Sequence, residues 1–287
     1  MGGPRVLRFN TISRLKENYD IKLLVDVFSV NPSSYYKWTH RKVALKEVEL
    51  KKLIYEIFQS RKGIYGYRRI TDILNIKYKI TINHKKVYRI MRELGIKARI
   101  RRKRAYNDYK DKVSEIAPNI LQQEFKTNKL NEKWVTDLSY IALEGKKYCL
   151  SVIQDLFNNE IIAYKIGKGF GNSIVFETVK QAIQDKNYKG VILHSDQGGQ
   201  YTSRAYQGMV KKLGITPSMS RKGNCLDNAC VESFFGHYKS EMLHLLKPKN
   251  FEDLKKETDD YMRFYNHERM QRRLKKMAPV EYRNHLN

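Results

Sequence analysis

The sequence predicts an α/β fold: a sheet with helices on both faces, preceded by an all-helical N-terminal region. Three observations lead there. After Asn131 the apolar spacing changes from helical to strand-like. The following stretch then alternates strands and helices in the order β-β-β-α-β-α-β-α. Finally, the 287-residue chain carries 56 Lys and Arg against 30 Asp and Glu, a net charge of +26. A surface this positive calls for a polyanion, with nucleic acid the leading partner and an anionic membrane the rival. No run of about 18 apolar residues is present to span a bilayer. The opening MGGPRVLRFN also lacks the apolar stretch of a secretion signal. Cys149, Cys225 and Cys230 form no disulfide-like framework, which fits a reducing cytoplasm.

Residues 1–45 read as a helix-turn-helix-like segment. Ile21, Leu24, Val27 and Phe28 form an apolar stripe, and Asn31 and Pro32 suit the cap and first position of the next helix. Tyr35, Tyr36 and Trp38 follow; stacking on bases is one reading, core packing the favoured one. Residues 46–112 read as a helix-turn-helix DNA-binding domain with a basic tail. Its first helix turns Leu50, Leu53, Ile54 and Ile57 inward, and its second turns Ile70, Ile73 and Leu74 inward. The third starts at a cap near Asn83, buries Val87, Ile90, Met91 and Leu94, and stops at Gly95. Its other faces carry Lys85, Lys86, Arg89 and Arg92, which would lie along a DNA groove or form an ordinary solvated face. The run KARIRRKR adds Arg99, Arg101, Arg102, Lys103 and Arg104, an exposed connector suited to backbone phosphates. Residues 113–130 are read as a linker.

The catalytic core is expected over 131–245. KWVTDLSYIAL, KYCLSVIQDLF and EIIAYKI form an antiparallel meander joined by EGKK and NN turns. A helix from about Asn172 to Asp185, the strand VILHSD, a helix from Ser203 to Leu213 and a strand from Thr216 to Met219 come next. A long helix starts near Asn228, and another near Phe251 opens a C-terminal helical extension over 246–287.

Three acids fall where this order brings them together. Asp137 lies in the first strand, Asp196 closes the fourth, and Glu232 sits in the first turns of the helix that follows. Between Asp196 and Glu232 lie 35 residues. Clustered carboxylates raise one another's pKa, and a hard cation relieves that cost. Two magnesium ions (manganese substituting) about 3.5–4 Å apart would clamp the attacking and leaving oxygens of a phosphoryl transfer. Each acid alone is weak evidence; their joint placement is the signal.

The segments HSDQGGQY and SRKGNCLDNACVESFF, with that spacing, resemble the integrase core of DDE transposases and retroviral integrases. NEKWVTDLSYI, DLFNNEIIAY, SMSRKGNCLDNA and YNHERMQRRLKKMAPVEY resemble more closely the second-frame product of the insertion sequence three family of bacterial transposases. YGYRRI and INHKKVYRIMRELGIKA resemble the helix-turn-helix that precedes the core there, so the resemblance runs from about Leu15 to Tyr282. It implies an RNase H-like fold of the retroviral integrase superfamily. It also implies Asp137, Asp196 and Glu232 as catalytic, metal-holding residues for cleavage and strand transfer at the ends of an insertion sequence. The implied partners are double-stranded DNA (terminal repeats and target), further subunits in a multimer on DNA, and a first-frame segment bearing its own helix-turn-helix and zipper. No heptad run for such a zipper is visible in this sequence, and the retroviral His/Cys zinc module is missing.

Around the triad, Lys239 stands two helical turns after Glu232, placed for a DNA-end phosphate or base. His194, Asp155, Asn224 and Asp227 are candidate supporting partners. The bland reading of His194 is hydrogen-bonded packing, and that of Asp227 is a helix cap. Cys225, Cys230, His237 and His244 lack the spacing of paired zinc knuckles. RMQRRLKK offers further phosphate contacts. Two other functions remain open: a metal-dependent structure-specific endonuclease on the same fold, and a catalytically silent DNA-binding regulator.

Overall fold

The computed structural model describes residues 4–99, 115–169, 172–184, 188–221 and 224–286. Arg101, Arg102, Lys103 and Arg104 therefore lie outside the described residues. The chain divides into two compact units between Ala98 and Arg99.

The first unit contains α1 (Pro4–Leu15), α2 (Ile21–Val27), α3 (Pro32–Ser60), α4 (Tyr67–Ile76) and α5 (His84–Glu93). Local chemistry sets their starts: Asp20 caps α2, Asn31 caps α3 with Pro32 behind it, and Asn83 caps α5. Gly95 ends α5 region with φ of +65°, which suits a residue without a Cβ. α3 runs unbroken through residues 45 and 46 and contributes to both halves of the unit. The α2 stripe also needs correcting. Leu24 and Val25 are buried while Val27 is 68% exposed. Ile21, Leu24, Val25 and Phe28 complete the i, i+3, i+4, i+7 face, and Val27 falls off it.

The second unit is built on five strands among the described residues, ordered β3-β2-β1-β4-β5. β1 (Lys133–Leu143), β2 (Lys146–Asp155) and β3 (Ile161–Lys168) pair antiparallel, as expected. The β1–β2 turn is the two-residue loop Glu144-Gly145, with both φ values positive, matching the twist of a tight hairpin. β4 (Ile192–Ser195) and β5 (Thr216–Met219) add in parallel on the other side of β1. Parallel neighbours need crossovers, supplied by α6 (Asn172–Ala182) before β4, and by α7 (Gly199–Thr202) and α8 (Arg204–Lys212) before β5. Then come α9 (Ala229–Tyr238), a π turn over Lys239–Leu243, the short α10 (His244–Leu246), α11 (Phe251–His267) and α12 (Pro279–His285).

Alternation along β1 divides the core. Val135 and Ile141 join a cluster with Val231, Phe234, Tyr238, Tyr261 and Tyr265 from α9 and α11. Trp134 turns the other way, toward Val175, Val179, Tyr206 and Val210 from α6 and α8. Asp137 shares the parity of Val135, so it faces α9. α11 belongs to the same apolar cluster as the core strands, so the expected boundary at 245/246 crosses a continuous core. No helix among the described residues is long and apolar enough to cross a membrane.

Candidate active site

Asp137 lies in the middle of β1, opposite Val152 of β2. One of its carboxylate oxygens accepts the Leu138 N–H at 2.7 Å. Its pKa is pushed well above the usual carboxylate range. Burial is the main cause, the negative charge of Asp196 comes next, and Glu232 adds to it; the Leu138 hydrogen bond and the Lys239 ammonium oppose the shift. Asp137, Asp196, Glu232 and Lys239 therefore share one electrostatic neighbourhood, although they come from β1, the end of β4 and α9.

Asp196 follows the last residue of β4. Its Oδ1 accepts the Gly198 N–H at 2.9 Å, a turn that leads into α7. A Cβ at position 198 would stand 3.0 Å from that same oxygen, so the glycine lets the turn close against the carboxylate. Glu232 sits exposed in the first turn of α9, and Lys239 closes that helix with its ammonium 5.9 Å from the Phe235 ring centre. The donor set offered by the three acids is all oxygen, and Asp137 carries a surplus of negative surroundings. Both features fit a hard divalent ion. Among the described residues, however, no three His, Cys, Asp or Glu side chains already form a closed ligand cluster.

The four supporting candidates have other work. Asp227 is fully buried and clamps a loop. Its carboxylate accepts from Arg221 N, Nε and Nη2, from Asn119 Nδ2 at 3.0 Å and from Gln123 Nε2 at 2.6 Å. Those donors, the Arg221 guanidinium first, hold its carboxyl far below the usual range. It does not cap α9; Asn228 occupies that position, and its side-chain amide donates to Thr136 O beside Asp137. Asn224 caps the short turn at Leu226.

His194 is buried with Nδ1 at 2.8 Å from Ser218 Oγ. That hydroxyl already accepts the Ile120 and Leu121 N–H groups, so its own proton goes to the imidazole. Burial lowers the His194 pKa to about 4, and a neutral packing histidine results. Asp155 accepts the Asn131 and Phe157 N–H groups at 2.8 Å each, and pairs with Trp134, three register positions from Asp137. It ties the segment before β1 to the turn after β2.

On the first unit, Arg89 is already paired, at 2.9 Å with Glu47 and 2.6 Å with Glu93. Lys85, Lys86 and Arg92 remain exposed on α5, and Arg99 is exposed beyond it. The RMQRRLKK stretch is partly structural as well: Arg269 is buried against Glu241, and Arg273 donates to Leu156 O. Tyr35 is buried and Trp38 packs beside it, as favoured, but Tyr36 is 46% exposed.

One neighbour escaped the sequence reading. Tyr201 is buried beside Thr136, and the charges of Asp137 and Asp196 add to the burial that raises its hydroxyl pKa. The signal was its position at the end of HSDQGGQY, five residues past the acid.

Comparison with known proteins agrees with this architecture. An HTH-like domain model matches residues 45–104, and two Integrase core domain models match 127–225 and 232–286. The chain is 43% identical to a protein named as transposase InsK for insertion sequence element IS150 of Escherichia coli K12, across 95% of this chain and 96% of the relative. It is 46% identical to a transposase-like protein of Haemophilus influenzae, over 71% of this chain and 94% of that one. It is 30% identical to transposase InsF for insertion sequence IS3A of Escherichia coli K12, over 83% and 84%. Among solved structures, the HTLV-2 integrase catalytic core domain in complex with magnesium aligns at a TM-score of 0.43 and 20% identity. That alignment covers 53% of this chain and 96% of the other.

Proposed function

Because the chain belongs to the insertion-sequence transposases of the IS150 and IS3 type, we propose that it cuts and joins DNA at the ends of such an element through Asp137, Asp196 and Glu232. The observation that supports this most is geometric: β4, which leads into Asp196, pairs with β1, which carries Asp137, and α9, which carries Glu232, packs on the face of β1 that Asp137 shares. Such crowding is costly in a resting protein and useful where cations and phosphates meet.

In this reading the three carboxylates would hold magnesium, with manganese able to replace it. The metal would lower the barrier by activating the attacking oxygen and stabilising the departing 3′ oxygen. The residues of the chain supply position. Gly198 N–H fixes one oxygen of Asp196, and Leu138 N–H fixes one of Asp137. Glu232, exposed at the start of α9, reaches the site from the solvent side, where a DNA strand would enter. Lys239, two turns along the same helix, would meet a phosphate of the bound end. Lys85, Lys86 and Arg92 on α5, with Arg99, Arg101, Arg102, Lys103 and Arg104, would hold the duplex by its backbone. Bringing two element ends together requires more than one copy on DNA, and a first-frame segment would add its own DNA contacts.

A gel assay tests this. Labelled duplex carrying the terminal repeats is incubated with the chain in magnesium or in EDTA. The expected result is a longer, joined product in magnesium only. Shortened fragments without joining would replace this reading with that of a nuclease. Binding without any reaction, also after addition of the first-frame segment, would leave a DNA-binding regulator.

A further inference from the structure

The HTH-like domain model starts at residue 45, after the first forty residues. They hold a buried cluster of their own within the first unit. Phe9 and Ile12 of α1, Leu24 and Val25 of α2, and Tyr35 of α3 make their own buried cluster, edged by Ile21, Phe28 and Trp38. Between α2 and α3 lies a four-residue turn, residues 28–31, in which Ser29 has a φ of +48° and Asn31 caps the next helix through Ser34 N. Two helices joined by so short a turn and packed in one cluster with a third share the layout of a helix-turn-helix.

The outward face of the first two turns of α3 is polar and free of acids. Ser33, Tyr36, Lys37 and His40 are exposed, and their spacing of i, i+3, i+4 and i+7 puts them on one face, opposite Tyr35 and Trp38. Arg5 of α1 reaches the same end of the helix, donating to Ser34 Oγ at 3.0 Å. We infer that α2 and α3 form a second DNA-reading helix-turn-helix, in which Ser33, Tyr36, Lys37 and His40 enter a groove of the terminal-repeat duplex. Charge complementarity selects duplex DNA as the occupant: Lys37 with Arg5 beside it, the hydroxyls of Ser33 and Tyr36 and the exposed Tyr36 ring suit phosphates and base edges. Both reading helices hang on one rod. α5 is held to α3 through Arg89–Glu47 and Lys51–Glu93, and the N-terminal reading face is the earlier part of α3 itself. Tyr36 and Glu47 are eleven residues apart, about 16 Å along the helix, so the two contacts fall on different parts of the repeat.

This inference rests on the proposed recognition of element ends, and hydroxyl-radical footprinting with the full chain separates the two. The probe is a labelled terminal-repeat duplex. Wild type is expected to protect two separated segments. The double variant Tyr36→Ala, Lys37→Glu is expected to lose one of them, keep the other and bind about tenfold or more weakly. Lys85→Ala with Lys86→Ala is expected to weaken the other segment instead. His40→Ala, a milder change on the same face, should thin the first segment alone. An unchanged footprint and an affinity within about twofold for the Tyr36 and Lys37 variant would overturn the inference, leaving that face to a protein partner. Protection of only the α5 segment by wild type would do the same. No protection at all would overturn the proposed recognition of element ends together with it.

Discussion

At the scale of single residues, Asp137 and Asp227 show how one side-chain type serves opposite ends. Burial, with the negative charges of Asp196 and Glu232 beside it, holds the Asp137 proton on to a higher pH than usual. A carboxyl with a raised native pKa binds an extra proton in the folded state. Stability therefore falls as pH climbs above the ordinary aspartate value of about 3.9. Asp137→Asn is expected to melt at a higher temperature than wild type near neutral pH in EDTA, with the gap closing in acid. A lower melting temperature would make Asp137 a structural anchor instead. Asp227 is the reverse, an acid surrounded by donors. Asp227→Ala should destabilise the fold by about 2 kcal/mol, since charged hydrogen bonds are lost from a buried position; chemical denaturation reads this directly. The positions of the three acids, Asp137 within β1, Asp196 just after β4 and Glu232 in the first turn of α9, were legible because each of those elements has a recognisable pattern. The role of Asp227 was not, because Asn119 and Gln123 lie more than a hundred positions away along the chain and no local pattern ties them to it.

At the scale of elements, the helix carrying Glu232 and Lys239 is secured from behind. Immediately after α9 the chain widens into a π turn, and Glu241 of that turn accepts two hydrogen bonds from Arg269, at 2.8 and 2.7 Å, and one from Tyr261 at 3.0 Å. Burial alone would raise the Glu241 pKa; the Arg269 guanidinium, helped by His237, reverses this and lowers it. Removing one member of such a pair strands the other charge. Arg269→Ala is expected to cost about 3–5 kcal/mol, and Glu241→Gln with Arg269→Met together much less, in denaturant melts. The pH dependence has a definite sign. A carboxyl whose native pKa is depressed stabilises the fold above the ordinary glutamate value of about 4.3, and that contribution is lost as pH falls further. A wild type no more acid-sensitive than the double variant would contradict it. Sequence periodicity located β1 to β5 and the helices between them, because alternating and 3.6-residue patterns follow from burial on one face. It placed neither the π turn nor the unbroken α3, whose apolar face changes partners midway.

At the scale of the whole molecule, the excess of cations and the two compact units together describe a protein that grips a polyanion and performs chemistry on it. If six or more phosphates are engaged, affinity for duplex DNA should fall by about a thousandfold or more between 50 and 200 mM salt; a flat response in anisotropy titrations would remove the electrostatic part of the account. The C-terminal helices pack on the catalytic sheet for a physical reason. Arg269, Tyr261 and Tyr265 fill the space behind α9, so the extension is part of the same core. The central claim is that Asp137, Asp196 and Glu232 act as one unit. The most direct test is the single-turnover rate of end joining for Asp137→Asn, Asp196→Asn, Glu232→Gln and the triple variant, each with its terminal-repeat affinity measured beside it. The account predicts that every single variant loses about a thousandfold or more in rate, that binding persists, and that the triple variant is no slower than the singles. Any one of the three joining DNA within about tenfold of the wild-type rate would contradict it.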